Sequence, residues 1–415
     1  MRKPTTIEWL YLDFDGFFAS VEQQANPRLR GKPIGIVPFD NTEYTCVIAC
    51  SREAKARGCQ NVMGVREARI KCPDIILVPQ SPDLYRRAHN TLIAEIGAVI
   101  PIDAVKSIDE LTCRLDETQR QNPEQLSSNI KERLARYVGP FITCSIGFAA
   151  NRQLAKIAGK QNKPNGTTIW HPSDVPKVLY PLPYDDIPGI GSRMEKRLYR
   201  AGIFNMEELL ATSPKHMRKL WRNVTGERLW YALHGYSIHA AKSDRGMFGH
   251  GRVLPPESRM RDNAKPIARM LLVKAARRMR KAGYYASRLY LWCSLRHTSH
   301  HDSLNLPIVS DDQACLQGLN MLWQRLCFVM SPKTQIIRIG ITLGDLSDAG
   351  VRQLDMLLDD DEQRRRWERV THAIDGLNAR YSKSLVTLGP WQPPAGGNLG
   401  GKISYTRIPK AEDFW

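Results

Sequence analysis

The chain has 415 residues, enough at roughly 100–200 per domain for two to four separate cores. Lysine and arginine number 60 against 42 aspartates and glutamates, and the resulting charge of +18 points to a polyanionic partner, nucleic acid first, rather than to a small-molecule housekeeping enzyme. With no run near the roughly 18 apolar residues of a membrane span, no signal peptide in MRKPTTIEWLYLDFDG and nine cysteines without paired spacing, the expectation is a cytoplasmic protein free of membrane contact, disulfide framework or zinc ribbon.

In chain order, Ile7 to Leu12 is an apolar strand that ends in Asp13-Phe14-Asp15-Gly16, and Phe17 onward opens a helix. Ile34 to Val37 is a second buried strand, and Ser51 to Arg57 a short helix closed by Gly58. Ser107-Ile108-Asp109-Glu110 leads into the apolar strand Leu111 to Leu115. Asn122-Pro123 starts a helix that buries Leu126, Ile130 and Leu134, and Phe141 to Phe148 is a third strand. Alternation of strands and helices through the first ~170 residues indicates an α/β or α+β core.

Residues 181–235 are entirely helical in pattern, and Ser237 to Gly251, polar and without periodicity, is the linker candidate. A second α/β unit follows. Its basic helix runs from about Asn263 to Ala282. In its strands Leu289, Leu291, Cys293 and Leu295 oppose Arg288, Tyr290, Trp292, Ser294 and Arg296, while Ile337, Ile339, Ile341 and Leu343 oppose Arg338, Gly340 and Thr342. One face is core and the other cationic and partly aromatic. A helix over Asp359 to Asn378 and a Pro/Gly-rich stretch end the chain.

Carboxylates carry the chemistry. If the strand ending at Asp13 and Asp15 and the strand starting at Asp109 and Glu110 are antiparallel neighbours, three or four acids converge, a costly arrangement unless a cation binds. Oxygen donors without nearby His or Cys suit Mg²⁺ rather than zinc, and two such ions serve in-line phosphoryl transfer. Taken singly, DFDG and SIDE read as solvated strand ends.

Together, YLDFDGFFASVEQ and KSIDE resemble the two catalytic motifs of the Y-family (translesion) DNA polymerases, CSIGFAANRQLAKIAGKQNKPNG their third block, and Ile187-Pro188-Gly189-Ile190-Gly191 their thumb hairpin. The resemblance implies a multidomain α/β (α+β) right-hand polymerase: a ferredoxin-like palm over 1–25 and 80–170, small fingers over 26–79, an all-α helix-hairpin-helix thumb over 171–240, a linker over 241–251, an α/β little finger over 252–348, and a tail over 349–415. Tail similarity is to the bacterial polymerase IV branch. The activity implied is template-directed, low-fidelity translesion synthesis from a primer 3′ end, with no segment left for a proofreading exonuclease.

By the same resemblance Asp13 and Asp109 bridge two Mg²⁺ ions (Mn²⁺ can substitute), the Phe14 carbonyl completes the nucleotide-side ion, and Glu110 holds the other. Asp15 points away from the site. Phe17 and Phe18 border the incoming deoxynucleoside triphosphate, Phe18 as the steric gate against a ribose 2′-hydroxyl and Phe17 with its ring in the core. Lys163 binds the triphosphate. Arg52 and Lys55 stand where the family more often has tyrosine and arginine, and Lys55 remains a phosphate ligand, though a point charge lacks the arginine fork. Backbone N–H groups at Gly189 and Gly191, with Arg252, Arg288, Arg296 and Arg338, hold primer-template DNA. Gln353, Leu354, Met356 and Leu357 resemble the peptide that bacterial polymerases insert into the sliding clamp, with Leu357 in place of a final phenylalanine. His297, His300 and His301 read as loop histidines rather than a metal site. The protein is expected to be a monomer. Two rivals remain: a catalytically inactive clamp- and DNA-binding adaptor of a mutasome, which would lack the carboxylates, and a palm-fold nucleotide cyclase, which has no use for a hairpin thumb or basic C-terminal unit.

Overall fold

A computed structural model describes residues 1–39, 43–238, 245–349, 361–381 and 384–389. The chain divides into two compact units, one within Met1–Ala241 and the other within Lys242–Lys402. No helix among the described residues is long and apolar enough to cross a membrane.

In the first unit β1 (Trp9–Phe14) runs into α1 (Phe17–Ala25). A small layer follows: β2 (Ile34–Val37), β3 (Cys46–Val47), β4 (Ala49–Cys50), α2 (Arg52–Ala56), β5 (Met63–Gly64), α3 (Val65–Lys71) and β6 (Ile76–Pro79). Val37, Val47, Cys50, Ala54, Met63 and Val65 give it an apolar cluster of its own. The chain continues through α4 (Pro82–Gly97), β7 (Ala104–Val105), β8 (Glu110–Arg114), α5 (Glu117–Gln121), α6 (Pro123–Tyr137), β9 (Cys144–Ala149), α7 (Arg152–Gln161) and β10 (Thr167–Ile169). Four short helices, α8 (Ser192–Arg200), α9 (Met206–Ala211), α10 (Pro214–Trp221) and α11 (Val224–Leu233), make the helical stretch the sequence predicts.

The main sheet has the order β10-β9-β1-β8-β7, with β1 antiparallel to both β8 and β9. Strand alternation sends Leu10, Leu12 and Phe14 into the core with Leu92 and Ile96 of α4 and Ile130 and Leu134 of α6. Trp9 and Tyr11 face the other way and join Leu154, Ala155 and Ala158 of α7. The contact with α7 is close. A Cβ at Gly147 of β9 would lie 2.0 Å from the Ala155 carbonyl oxygen, so only glycine lets the helix backbone approach this far. β1 extends beyond the expected Leu12 to Phe14, bringing Asp13 into the ladder. β9 starts at Cys144 rather than Phe141, because the Phe141 N–H donates to the Gln24 side chain and its ring lies under the Arg30 guanidinium.

The second unit comprises β11 (Met247–Val253), α12 (Arg261–Lys281), β12 (Tyr284–Ser294), β13 (Ser299–Val309), α13 (Asp312–Val329), β14 (Arg338–Asp348) and α14 (Asp361–Tyr381). Its sheet is antiparallel, in the order β11-β14-β12-β13. Leu289, Leu291, Ile339, Ile341 and Leu343 pack against Leu271, Leu272 and Ala275 of α12 and Leu319, Leu322 and Leu326 of α13. Arg280 of α12 ties the helices together, bonding Asp312 of α13 at 2.7 Å and Asp375 of α14 at 2.7 Å.

Three expectations are corrected here. Of the expected linker 241–251, Met247–Gly251 belong to β11, an edge strand whose glycines hide its alternation. Arg296 lies in the β12–β13 turn, closed by a 2.8 Å bond from the Leu295 N–H to the Thr298 carbonyl, not on the strand. His300 and His301 are in β13, not in a loop; its first half is polar, so no apolar alternation marks it.

Candidate active site and nucleic-acid face

Asp13 sits directly opposite Glu110 in the β1–β8 ladder, and the Phe14 N–H donates to the Asp109 carbonyl at 2.9 Å. Cross-strand partners share a face with Cβ atoms ~5 Å apart, so the two carboxylates stand side by side with Asp109 next in the chain. Each is held. Asp13 accepts the Lys163 ammonium at 2.5 Å, Asp109 accepts the Ser107 hydroxyl at 2.5 Å, and Glu110 accepts the Tyr11 hydroxyl at 2.7 Å and the Lys156 ammonium at 2.7 Å. Turned to these partners, the acids do not form a ready cage: among the described residues no group of three or more His, Cys, Asp or Glu is arranged to hold a metal ion.

The electrostatics are those of a crowded, water-poor site. Burial pushes the Asp13 carboxyl up to about 6, with Lys163 opposing and Asp109 and Glu110 adding to the rise. Burial, then Glu110, raises the Tyr11 phenol, which remains the donor to Glu110. Burial lowers the pKa of the His89 imidazole of α4, whose Nδ1 lies 2.7 Å from the Ile108 carbonyl and so fixes the backbone just ahead of Asp109.

Asp15, expected to point away from the site, has partners of its own. Buried beside β9, it accepts the Thr143 hydroxyl at 2.9 Å, the Ser145 hydroxyl at 2.8 Å and the Asn165 N–H at 2.8 Å. Lys131 of α6 donates to the Asn165 carbonyl at 2.7 Å. These bonds anchor the loop that carries Lys163.

Phe17 is buried with its ring 5.9 Å from that of Phe14, so its side chain is core. Phe18 is half-buried and stacks on Tyr85 of α4 at 4.7 Å, while the Tyr85 hydroxyl donates to Glu22 at 2.8 Å. Gly16 precedes α1 in the left-handed conformation (φ 54°) and supplies no side-chain cap, leaving the first N–H groups of the helix without a side-chain partner. Arg52 and Lys55 are exposed on α2, whose Glu53 accepts a 3.1 Å bond from Gln23 of α1.

Gly189 (φ 106°) and Gly191 are exposed, between the buried anchors Ile187 and Ile190, and lead into α8. In the second unit Arg288, Tyr290, Trp292, Ser294, Arg338 and Thr342 share the sheet face opposite the core. Arg252 does not join them. It pairs with Ile339, a core-facing residue, and burial lowers its guanidinium to about 10. The Gln353-Leu354-Asp355-Met356-Leu357 segment lies outside the described residues.

Sequence reasoning missed Tyr11, His89, Ser107 and Lys156. Period-two alternation places Tyr11 on Asp13's face and could have found it. The others come from elements whose packing no local pattern encodes.

The impB/mucB/samB family matches residues 12–160, its C-terminal domain residues 245–356, and the HHH motif of the same family residues 172–203. DNA polymerase IV of Moorella thermoacetica is 30% identical over 397 residues, covering 91% of this chain and 94% of the relative. DNA polymerase IV 1 of Bacillus subtilis is 27% identical over 391 residues, covering 91% and 92%. Among solved structures, a chimera of the Y-family DNA polymerases Dbh and Dpo4 matches with TM-score 0.68 at 24% identity, over 81% of this chain and 98% of that one. The post-insertion binary complex of Dbh DNA polymerase matches with TM-score 0.55 at 25% identity and the same coverage. The fold is that of a right-hand polymerase. The chain belongs to the bacterial Y-family of translesion DNA polymerases, and with that membership goes a general dependence on divalent metal.

Proposed function

We propose that this chain extends a DNA primer on a template by two-metal phosphoryl transfer, at low fidelity, past lesions and without proofreading. The observation that carries the reading is the cross-strand pairing of Asp13 with Glu110 beside Asp109. The donor set fits a hard divalent cation: all oxygen, partly buried, mutually repelling, with two lysine ammoniums already serving as counter-charges. Asp13, Asp109, Glu110 and the Phe14 carbonyl would hold Mg²⁺, or Mn²⁺ in its place. When bound, two such ions lower the pKa of the primer 3′-hydroxyl and neutralise charge on the leaving pyrophosphate.

The chain's own groups do the rest. Lys163, released from Asp13 when that carboxylate finds another counter-charge, is the ammonium for the triphosphate. The uncapped N–H groups of Phe17 and Phe18 at the start of α1 suit a phosphate oxygen, and exposed Arg52 and Lys55 add cations. Phe18, braced by Tyr85, would fill the space a ribose 2′-hydroxyl needs. Asp15 is a positioning residue for the Lys163 loop.

In the language of the family, the palm is 1–25 and 80–170, the fingers 26–79, the thumb 171–240 and the little finger the second unit with β11 included. The thumb's Gly189 and Gly191 N–H groups and the little finger's Arg288, Arg296 and Arg338 would grip the DNA backbone. Gln353, Leu354, Met356 and Leu357 would recruit a sliding clamp to a cytoplasmic monomer. Replacing Gln353 and Leu357 by alanine should leave synthesis on a bare primer unchanged and remove stimulation by the clamp.

Primer extension with Mg²⁺ on undamaged and lesion-bearing templates tests the whole. Extension on both, with a mismatched primer end left unexcised, is expected. DNA binding without any extension would instead identify a mutasome adaptor.

A further inference from the structure

Trp292 is in an unusual place. Its strand neighbours Leu291 and Cys293 go into the core, while its own ring lies on the opposite face of the sheet. There it crosses two strands. A Cβ at Gly340 of β14 would lie 2.2 Å from Trp292 Cε2 and 2.4 Å from Nε1, and one at Gly251 of β11 would lie 2.7 Å from Cζ2. The indole therefore spreads flat over consecutive glycines of neighbouring strands. Tyr290 repeats the arrangement one step along: a Cβ at Gly344 would lie 3.0 Å from its Cε2. Both rings are half-buried, which is what remains when one aromatic face is on the sheet and the other is open.

Cations bracket the row. Arg288 reaches over the Tyr290 ring at 5.4 Å, Arg338 is paired with Ser294 just beyond Trp292, and exposed His301 is Trp292's partner on β13. Asp345 lies 3.9 Å from Arg288. A flat aromatic face with cations at both ends is the device by which sheets hold single-stranded nucleic acid: the ring takes a base of any identity and the arginines take its phosphates.

We propose that Trp292 is a stacking platform for an unpaired base in a single-stranded segment adjoining the duplex, with Arg288 and Arg338 on the flanking phosphates. The proposal rests on the DNA-binding role of this sheet and adds to it a site that reads the presence of a base, not merely backbone charge. A ring over cross-strand glycines also stabilises a sheet, so the test must turn on the base itself.

The experiment measures binding of the full chain, by fluorescence anisotropy, to three labelled DNAs: a blunt hairpin, the hairpin with a single-stranded 5′ overhang of thymidines, and the same overhang built of abasic residues. Trp292→Ala should lose about tenfold on the thymidine overhang and nothing comparable on the abasic one, while Trp292→Phe keeps most of the affinity. Gly340→Ala, whose Cβ would displace the indole, should reproduce the base-dependent loss with Trp292 still present. An equal loss on both overhangs, or no loss, would overturn the platform and leave the ring a cover for the sheet. Failure of the parent chain to bind even the blunt hairpin would instead refute the DNA-binding role on which the proposal rests.

Discussion

The carboxylate end of the first unit and the open sheet face of the second are both polar surfaces of antiparallel sheets, built on opposite plans. At the first, every ionised group is partly withdrawn from water and individually held: Asp13 by Lys163, Glu110 by Tyr11 and Lys156, Asp15 by two hydroxyls and a backbone N–H. At the second, Arg296 and Arg338 stand in solvent on a turn and a strand start. Groups that stabilise charge at a reacting centre gain from a dry, fixed setting, whereas groups that hold a phosphate backbone without reading it gain from reach. The same contrast separates arginines within the second unit. Arg280 lies mostly buried between two aspartates that keep it charged against the cost of burial, the pKa of Arg252 is lowered by burial, and Arg338 is exposed.

The largest expected effect is at the carboxylates. Asp109→Ala or Glu110→Ala should reduce primer extension by about a thousandfold or more and leave duplex affinity nearly unchanged, because the acids handle charge at the reaction and not on the backbone. Extension by Asp109→Ala within tenfold of the parent would abolish the distinction between the two surfaces. Phe18→Ala should raise ribonucleotide incorporation by about a hundredfold in competition assays, with deoxynucleotide use retained. Unchanged selectivity in an active variant would make the ring a core residue like Phe17.

Buried and exposed arginines should separate by stability. Removing Arg280 leaves Asp312 buried without its counter-charge, a loss of about 3–5 kcal/mol, whereas Arg338→Ala should change stability by less than about 0.5 kcal/mol. Urea unfolding of the two variants decides it, and similar midpoints would show that burial is a poor guide to role here. A smaller effect is expected at Asp15. Asp15→Asn keeps the shape but weakens the bond to the Asn165 N–H, so the KM for deoxynucleotides should rise about tenfold with a smaller change in kcat. Combined with Lys163→Ala it should add little, since both act through one loop; full additivity would disconnect Asp15 from that loop.

Much of this was legible in the sequence. β2 falls on Ile34–Val37 as read, α1 begins at Phe17, and α6 buries Leu126, Ile130 and Leu134, because local periodicity suffices wherever an element has one apolar side. The carboxylate pairing was legible only as a condition, since a register links residues nearly a hundred positions apart. Arg252 was misjudged for the same reason: the parity of β11 against β14 decides its face, and nothing near it in the chain states that parity. β11 itself escaped because Gly249 and Gly251 lie under side chains of β14 and β12, which makes a paired strand look like a linker.

The smallest effect tests the second surface most directly. If Arg296 and Arg338 each neutralise one phosphate, binding releases about one counterion per contact, and the slope of log affinity against log salt should fall by roughly 0.9 for each arginine removed. Both side chains are exposed, so their loss leaves no buried charge or cavity and the fold should be indifferent to it. Arg252→Ala is the internal control. Arg252 is on the core-facing side of β11, opposite Ile339, so the slope should not change even though the substitution removes the same formal charge. The loss from Arg296→Ala with Arg338→Ala should also be the same on any duplex sequence, because phosphates carry no base identity. A slope that drops equally for Arg252→Ala would mean that net charge alone steers the DNA, and a loss that varies with sequence would mean that these arginines read bases; either result would end the division between a face that grips and a site that reacts.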